Sequence, residues 1–292
     1  MNAESSENNA AKKTVTLGSG KWHFIDSGFQ TGKFNMEYDL GLVEKCRASG
    51  DSFLRFYRWK PYAISLGYNQ SRSSTSLKID EVACRKNNTD LVERPTGGRA
   101  VLHSEELTYS VVMKTDKPIR DTYRDISLAI LNGLKMLSPE NASLQRLSFT
   151  KDTPDIRELI KTGMYNLCFN SQVKNEINHL GKKLVGSAQR KFTEQNSTDI
   201  ILQHGSVLIG DHHKSIVNYL IASEDQKNEM SFEIENKTTC LNDILKRNVS
   251  YKETGDAIFK GFETTYNIRF ASINRLADLI AKRALDHESI LN

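Results

Sequence analysis

The densest concentration of chemically useful residues lies at positions 94–110, "RPTGGRAVLHSEELTYS". Pro95, Gly97 and Gly98 stand together there, in a chain with only 17 glycines and 5 prolines. Consecutive glycines after Arg94, Pro95 and Thr96 let backbone amides approach a ligand oxygen with no Cβ in the way. Arg94 and Arg99 flank that stretch with fixed positive charge, suited to a phosphate or a carboxylate. A tight turn with two solvated arginines satisfies the same residues, and the local pattern leaves both readings open. The spacing excludes a P-loop, which needs Gly-x4-Gly-Lys-Ser/Thr, and a dinucleotide-binding G-x-G-x-x-G.

Three other groups of residues carry reactive side chains. "GKKLVGSAQR" at 181–190 reads as a strand with a glycine break at Gly186 and a lysine pair, Lys182 and Lys183, at its start. By composition alone such lysines are solvated. Cys168, in "NLCFN", reads by itself as a small buried hydrophobe, as do Cys46, Cys84 and Cys240 in helix-like contexts. The four thiols are widely separated with no C-x-x-C, which excludes a zinc knuckle and a disulfide scaffold and favours the reduced state. His103 and His204 each sit in an apolar strand, where an imidazole is ordinarily a satisfied structural group. "DHHK" at 211–214 reads as the surface start of a helix.

These residues must be positioned by the surrounding elements. "WHFIDSG" from Trp22 reads as a strand and turn, and Met36, Leu40 and Val43 recur at helical spacing across 35–48. Positions 52–59, "SFLRFYRW", alternate with period two: Phe53, Arg55, Tyr57 and Trp59 share one face. "YAISLGY", "TDLVERP", "AVLH" and "LTYSVVM" read as further strands, with a short helix at 77–85. Residues 122–137 form a helix with Ile126, Ala129, Ile130 and Leu134 on one face. The polar stretch 138–166 reads as an excursion, a hairpin turns near Gly181, and 199–210, "DIILQHGSVLIG", is a long apolar strand. From His212 the pattern is helical, with one stripe at Ile258, Phe259, Phe262 and Tyr266 and another at Ile273, Leu276, Ala277, Ile280 and Ala284. Interleaved strands and helices predict an α/β (α+β) fold with a central mixed β-sheet flanked by helices.

Bulk composition limits the function classes. Hydrophobic residues make up 38% and charged residues 26%, enough for a sizeable core, and the net charge is only +4. No dense basic block argues for nucleic acid, and no run of 18 apolar residues argues for a membrane span. The polar start, without an apolar segment, reads as a disordered tail over 1–20 and not a signal peptide, so the expected location is the cytoplasm. The expected organisation is a catalytic domain at 21–232 and a helical C-terminal extension packed on it at 233–292, in a monomer.

Taken together, the motifs resemble the biotin/lipoate protein ligase superfamily. The signature of its lipoate branch, Arg-Arg-x-(Ser/Thr)-Gly-Gly-(Gly/Arg)-Ala-Val-(Tyr/Phe/Leu)-His, stands here as "ERPTGGRAVLH", with Glu93 and Pro95 departing from the ligase form. The "RPTGGR" variant looks most like the LipM-type octanoyltransferases. "WHFIDSG", "NMEYDLGL", "LRFYRWKPYAISLGYNQ", "LTYSV", "LCF", "GKKLVGSAQR", "ILQHGS" and "GFE" follow in the family's order, over about residues 21–270.

The resemblance implies an acyl site and two catalytic residues. Cys168 matches the nucleophile of the LipM-type enzymes, and a thiol can carry an acyl group between a carrier thioester and a lysine amine. Lys183 matches the lysine that reaches the acyl carbonyl, where an ammonium stabilises developing negative charge and lowers a nearby thiol's pKa. Arg94, Thr96, Gly97, Gly98, Arg99, Ala100 and His103 would bind substrate from the first motif. Gly186, Ser187 and Ala188 would do so from the second, and Gln203, His204 and Gly205 from the third.

The implied reaction moves an octanoyl group from octanoyl-acyl carrier protein to the lysine of a lipoyl domain, such as glycine cleavage H protein or a 2-oxoacid dehydrogenase E2, with no cofactor. The alternative is a lipoate–protein ligase that uses Mg-ATP to make an acyl-AMP. Arg99 in place of the ligase glycine, the nucleophile-like Cys168 and the short C-terminal part weigh against it. A non-catalytic module that only binds a lipoyl domain or acyl chain is disfavoured by Cys168 and Lys183 in their motif contexts.

Overall fold

In the computed structural model, residues 17–18, 20–70, 78–150, 175–194 and 198–275 are described. The segments read as strands are strands: β1 (Trp22–Gln30), β2 (Ser52–Trp59), β3 (Ala63–Gly67), β4 (Asp90–Arg94), β5 (Val101–His103) and β6 (Glu106–Thr115). Later come β7 (Leu147–Phe149), β8 (Ile177–His179), β9 (Lys182–Phe192), β10 (Asp199–Leu208) and β11 (Phe270–Arg275). Eight of them form one mixed sheet in the order β11-β1-β2-β6-β10-β9-β8-β7, and β4-β3-β5 form a separate small sheet.

Helices cover both faces of the large sheet. The helix α1 (Gly32–Ser49) starts at Thr31, whose hydroxyl accepts from the Phe34 amide, and ends at Gly50 in the left-handed region. It packs on the face that also meets the small sheet. On the opposite face lie α3 (Ile119–Met136) and the antiparallel-sheet core of Leu54, Phe56, Leu107 and Val111. Between α1 and α3 lies the short helix α2 (Glu81–Lys86), capped by Asp80. The helix predicted over 77–85 is therefore shorter at its start.

After β10 come a 3-10 helix (His212–Tyr219), α4 (Glu224–Lys237), α5 (Leu241–Leu245) and α6 (Tyr251–Tyr266). Helices α3 and α6 pack closely at glycines: a Cβ on Gly133 would come within 2.5 Å of the Ala257 carbonyl oxygen. The stripe predicted for α6 is present, with Ile258, Phe262 and Tyr266 buried.

Several expectations change in the folded chain. Leu40 is 39% exposed, and Asp39 takes the inward position beside Met36 and Val43. A carboxylate is accepted there because the sheet presents it with a guanidinium and hydroxyls. Ile273 belongs to strand β11, parallel to β1, and not to a helix, because main-chain pairing with β1 overrides local helical spacing. Leu276, Ala277, Ile280 and Ala284 lie outside the described residues. Position 232 falls inside α4, and β11 completes the edge of the large sheet. Leu17 is buried in the main core and accepts a hydrogen bond from the Trp22 indole, while 1–16 lie outside the described residues.

Within the polar stretch 138–166, Leu147–Phe149 forms β7 against β8, and 151–166 lie outside the described residues. His213 in "DHHK" is buried, with Nε2 at 2.9 Å from the Thr238 hydroxyl, because the 3-10 helix turns it inward. Cys46, Cys84 and Cys240 are buried free thiols, and burial pushes those of Cys46 and Cys240 up to about 11. Among the described residues no helix is long and apolar enough to cross a membrane.

Candidate active site

Strand register builds the site. Arg55, Ser110, His204 and Ala188 form one cross-strand row through β2, β6, β10 and β9. Tyr57, Thr108, Ser206 and Gly186 form the next row on the same face. That face is polar although it is buried, so every group on it must find a partner. Helix α1 supplies one from above. Asp39 Oδ1 accepts from Arg55 Nη1 and the Ser110 hydroxyl at 2.8 and 2.7 Å, and Asp39 Oδ2 accepts from the Tyr57 hydroxyl at 3.0 Å.

The Arg55 and Asp39 side chains are both fully buried. Arg55 also donates to the Ser27 hydroxyl and to Asn35, so its fork is satisfied on several sides. Burial opposes charge on Asp39, but Arg55, His204 and Ser110 together hold its carboxyl below the ordinary range. Burial also pushes His204 down, with Asp39 opposing, so its imidazole is neutral near pH 7. With Asp39 ionised, Nδ1–H of His204 donates to Oδ2 at 3.3 Å, and Nε2 accepts from the Thr96 hydroxyl at 2.5 Å.

His103 repeats the arrangement one row on. Its Nδ1–H donates to Glu106 Oε1 at 2.8 Å, and its Nε2 accepts from the Ser65 hydroxyl at 2.8 Å. Glu106 Oε1 also accepts from the Thr108 and Ser206 hydroxyls, at 2.5 and 2.7 Å. Burial raises the Glu106 carboxyl, but His103 and these hydroxyls outweigh it and keep the group low. The Trp59 ring stacks on His103 with centroids 4.0 Å apart, and its indole N–H donates to Thr108.

The glycine stretch is held by its own arginine. Arg94 is buried, and it donates to the carbonyls of Ser65, Gly97 and Arg99 at 2.9, 3.1 and 2.7 Å. A guanidinium with its fork on three carbonyls fixes the path of residues 94–99. Gly98 has φ +93°, and the Gly67 backbone lies so close to the Gly98 carbonyl that a Cβ on Gly67 would collide with it. Arg190 from β9 donates to the Pro95 carbonyl at 3.1 Å and stacks near Tyr68.

Between this loop and the large sheet lies a small cavity of about 30 Å3. Met36, Tyr57, Trp59 and Val101 supply its apolar walls, with Ser65, Thr108 and Ser206 beside them. Of the residues singled out in the sequence, Arg94, His103, Gly186, Ser187, Ala188, His204 and Gly205 line it. Thr96 reaches it through His204, and Gly97 and Gly98 form the adjoining turn.

The others lie elsewhere. Ala100 packs into the core beneath the small sheet with Ile64 and Leu102. Gln203 points through the opposite face and donates to the Tyr109 hydroxyl at 2.8 Å. Arg99 is half-buried in the turn. Lys183 stands just before a β-bulge, where Ile177 pairs with Val185 but Asn178 with Lys183. It is 1% exposed, with Nζ 2.7 Å from Glu176 Oε1. Cys168 lies outside the described residues.

Asp39, Arg55, Glu106, Thr108, Ser110 and Ser206 are the site residues that sequence reasoning passed over. A signal existed: Glu106, Thr108 and Ser110 recur with period two in β6, as His204 and Ser206 do in β10.

Residues 31–263 match the lipoyl protein ligase A/B catalytic domain. The chain is 35% identical to octanoyltransferase LipM of Bacillus subtilis (strain 168), covering 85% of this chain and 87% of that protein. It is 33% identical to octanoyltransferase LipM of Staphylococcus aureus (strain NCTC 8325 / PS 47), again over 85% of this chain and 87% of the relative. Among solved structures, a lipoate-protein ligase A bound with ATP superposes with a TM-score of 0.64 at 21% identity, covering 88% of each chain. The bi-partite lipoate protein ligase of Thermoplasma acidophilum does so with 0.62 at 20% identity, also over 88% of each. The mixed sheet, the loop braced by Arg94 and the match over residues 31–263 agree: this chain belongs to the lipoyl protein ligase A/B catalytic-domain family.

Proposed function

We propose that the chain is an octanoyltransferase of protein lipoylation, with octanoyl-acyl carrier protein as donor and the lysine of a lipoyl domain as acceptor. The acceptor would be glycine cleavage H protein or a 2-oxoacid dehydrogenase E2. Relatives named for octanoyl transfer, at 33–35% identity over 85% of the chain, support the activity. The observation that carries the site is its apolar lining, where Met36, Tyr57, Trp59 and Val101 offer an uncharged acyl chain hydrocarbon and aromatic contacts.

The chemistry takes two steps. The thiolate of Cys168 attacks the donor thioester carbonyl, and a carbon–sulfur bond to the enzyme forms as the bond to the carrier breaks. The carrier leaves as a thiol with the proton that Cys168 gave up. The neutral amine of the acceptor lysine then attacks the octanoyl-Cys168 thioester. A carbon–nitrogen bond forms, Cys168 departs as the thiolate, and the proton lost by the amine returns to it. In both steps Lys183 and backbone amides of the glycine turn would meet the oxyanion.

The commitments of the buried cations support a thioester donor over nucleotide activation. Arg55 is paired with Asp39, Arg94 holds three carbonyls, and Lys183 meets Glu176. Two buried carboxylates, Asp39 and Glu106, stand close to the cavity lining. A triphosphate placed there would meet negative charge.

The test is transfer to apo glycine cleavage H protein from octanoyl-acyl carrier protein without nucleotide, for wild type and Cys168→Ala. Transfer that is lost in the variant is the expected result. Transfer that needs Mg-ATP and survives Cys168→Ala would establish the ligase reading instead.

A further inference from the structure

The ion pair between Lys183 and Glu176 is buried on both sides, with side chains 1% and 2% exposed and 2.7 Å between Nζ and Oε1. An ammonium taken out of water sheds its proton unless an opposite charge compensates. A lysine that is to stabilise an oxyanion must keep that proton. Glu176 supplies the compensating charge from outside the known motif, one residue before β8. Its backbone is pinned there, because the Glu176 carbonyl accepts from both the amide and the hydroxyl of Thr150.

The lysine is equally constrained. The bulge between Lys183 and Val185 re-aims the Lys183 side chain relative to Val185, and the Lys183 carbonyl accepts from the Thr239 amide. Adjacent Lys182 is half-buried and donates instead to the Glu235 carbonyl at 3.0 Å. The two lysines of "GKK" are thus separated by environment: one holds a helix end at the surface, the other is buried on a carboxylate.

We infer that Glu176 is a positioning residue for octanoyl transfer, whose carboxylate keeps the Lys183 ammonium charged and aimed. This rests on the proposed role of Lys183 at the acyl carbonyl. Tyr109 from β6 carries a phenol that burial pushes up to about 12, with Glu176 raising it further, while the Ser187 and Gln203 hydrogen bonds oppose. Asn178, opposite Lys183, and Thr238, bridged to it, carry no charge.

Glu176→Gln keeps an acceptor oxygen for Nζ and removes the charge. With octanoyl-acyl carrier protein and apo glycine cleavage H protein, the pH profile of kcat in Glu176→Gln should lose its alkaline plateau. Its alkaline fall should begin at lower pH than in wild type. At pH 7 the variant should lose about ten- to a hundred-fold in kcat, with KM changed much less. Glu176→Asp, which retains the charge, should restore the wild-type shape of the profile even at a lower rate.

The result that overturns the inference is a Glu176→Gln profile superimposable on wild type while Lys183→Met is inactive; the pair is then only structural. A Lys183→Met enzyme of wild-type rate removes the role of Lys183 itself, a separate failure. Circular dichroism melts accompany each variant. If Glu176→Gln does not fold, the comparison passes to Glu176→Asp alone. A lower kcat with an unchanged alkaline limb then supports positioning of a charged lysine, and an unchanged kcat refutes it.

Discussion

His204 and Thr96, 108 positions apart in the chain, meet with 2.5 Å between Nε2 and Oγ1. This contact ties the glycine stretch to the large sheet, and through His204 to Asp39 on α1. Replacing Thr96 by Val keeps the shape and removes the hydroxyl, leaving the His204 ring nitrogen without its donor. A lost buried hydrogen bond of this kind costs about 1–3 kcal/mol. Octanoyl transfer by Thr96→Val should therefore fall about tenfold or more in kcat/KM, alongside that loss of stability in urea. Wild-type kinetics would mean that the loop holds its path without this contact.

The buried pair of Asp39 and Arg55 makes a stability prediction. Removing one partner leaves an uncompensated buried charge, so Arg55→Met should destabilise the fold by about 3–5 kcal/mol. The double variant Asp39→Leu/Arg55→Met removes both charges and should be less destabilised than the sum of its two single changes. Urea unfolding of the four proteins measures the coupling, and additive effects would contradict it.

His213 gives a pH dependence. Burial is the main cause that lowers it to about 4, from 6.5. Between those values the unfolded chain binds a proton that the folded chain does not, so stability falls as pH drops from about 6.5 toward 4. The full effect is about 3 kcal/mol. Asp39 and Glu106 are shifted below their ordinary range, and their stabilisation is lost only at lower pH. Urea midpoints between pH 5 and 7 should slope less in His213→Gln than in wild type; equal slopes would remove His213 as the cause.

Cys168 can be tested by mass. Wild-type protein incubated with octanoyl-acyl carrier protein alone should gain one octanoyl group, removable by hydroxylamine and absent from Cys168→Ala. Cys46, Cys84 and Cys240 are buried, and Cys46 and Cys240 have raised thiol pKa values. Alanine at those three positions should leave the adduct in place. An adduct that persists in Cys168→Ala would shift the search to another nucleophile.

Gly133→Ala tests the packing of α3 on α6. Its Cβ would meet the Ala257 carbonyl oxygen at 2.5 Å. The helices must then separate, at a cost of about 1–3 kcal/mol. The thermal midpoint should drop while kcat of the folded fraction stays near wild type, because this contact lies across the sheet from the site.

Much of the architecture could be read before any coordinates. Period-two alternation located β2, apolar strand-forming runs located β6 and β10, and helical spacing located α3 and α6, because each of these patterns is local. The same reasoning misplaced Leu40 and left Asp39 out, since a carboxylate on an inward helix face makes sense only with Arg55 across from it. It also assigned Ile273 to a helix, because pairing with β1 is invisible in a window of a dozen residues.

The site divides along the same line. Residue types and motif order by themselves determined the family, the acyl chemistry and the roles offered to Cys168 and Lys183. Tertiary structure alone decided that Arg94 grips three carbonyls and that Arg55, Ser110 and His204 lie in one row under Asp39. It also set Lys183 against Glu176. Alternation along a strand says which residues share a face, but the neighbouring strand and its register depend on contacts distant in sequence. A charged side chain announces its charge in the sequence; its partner exists only once the chain has folded.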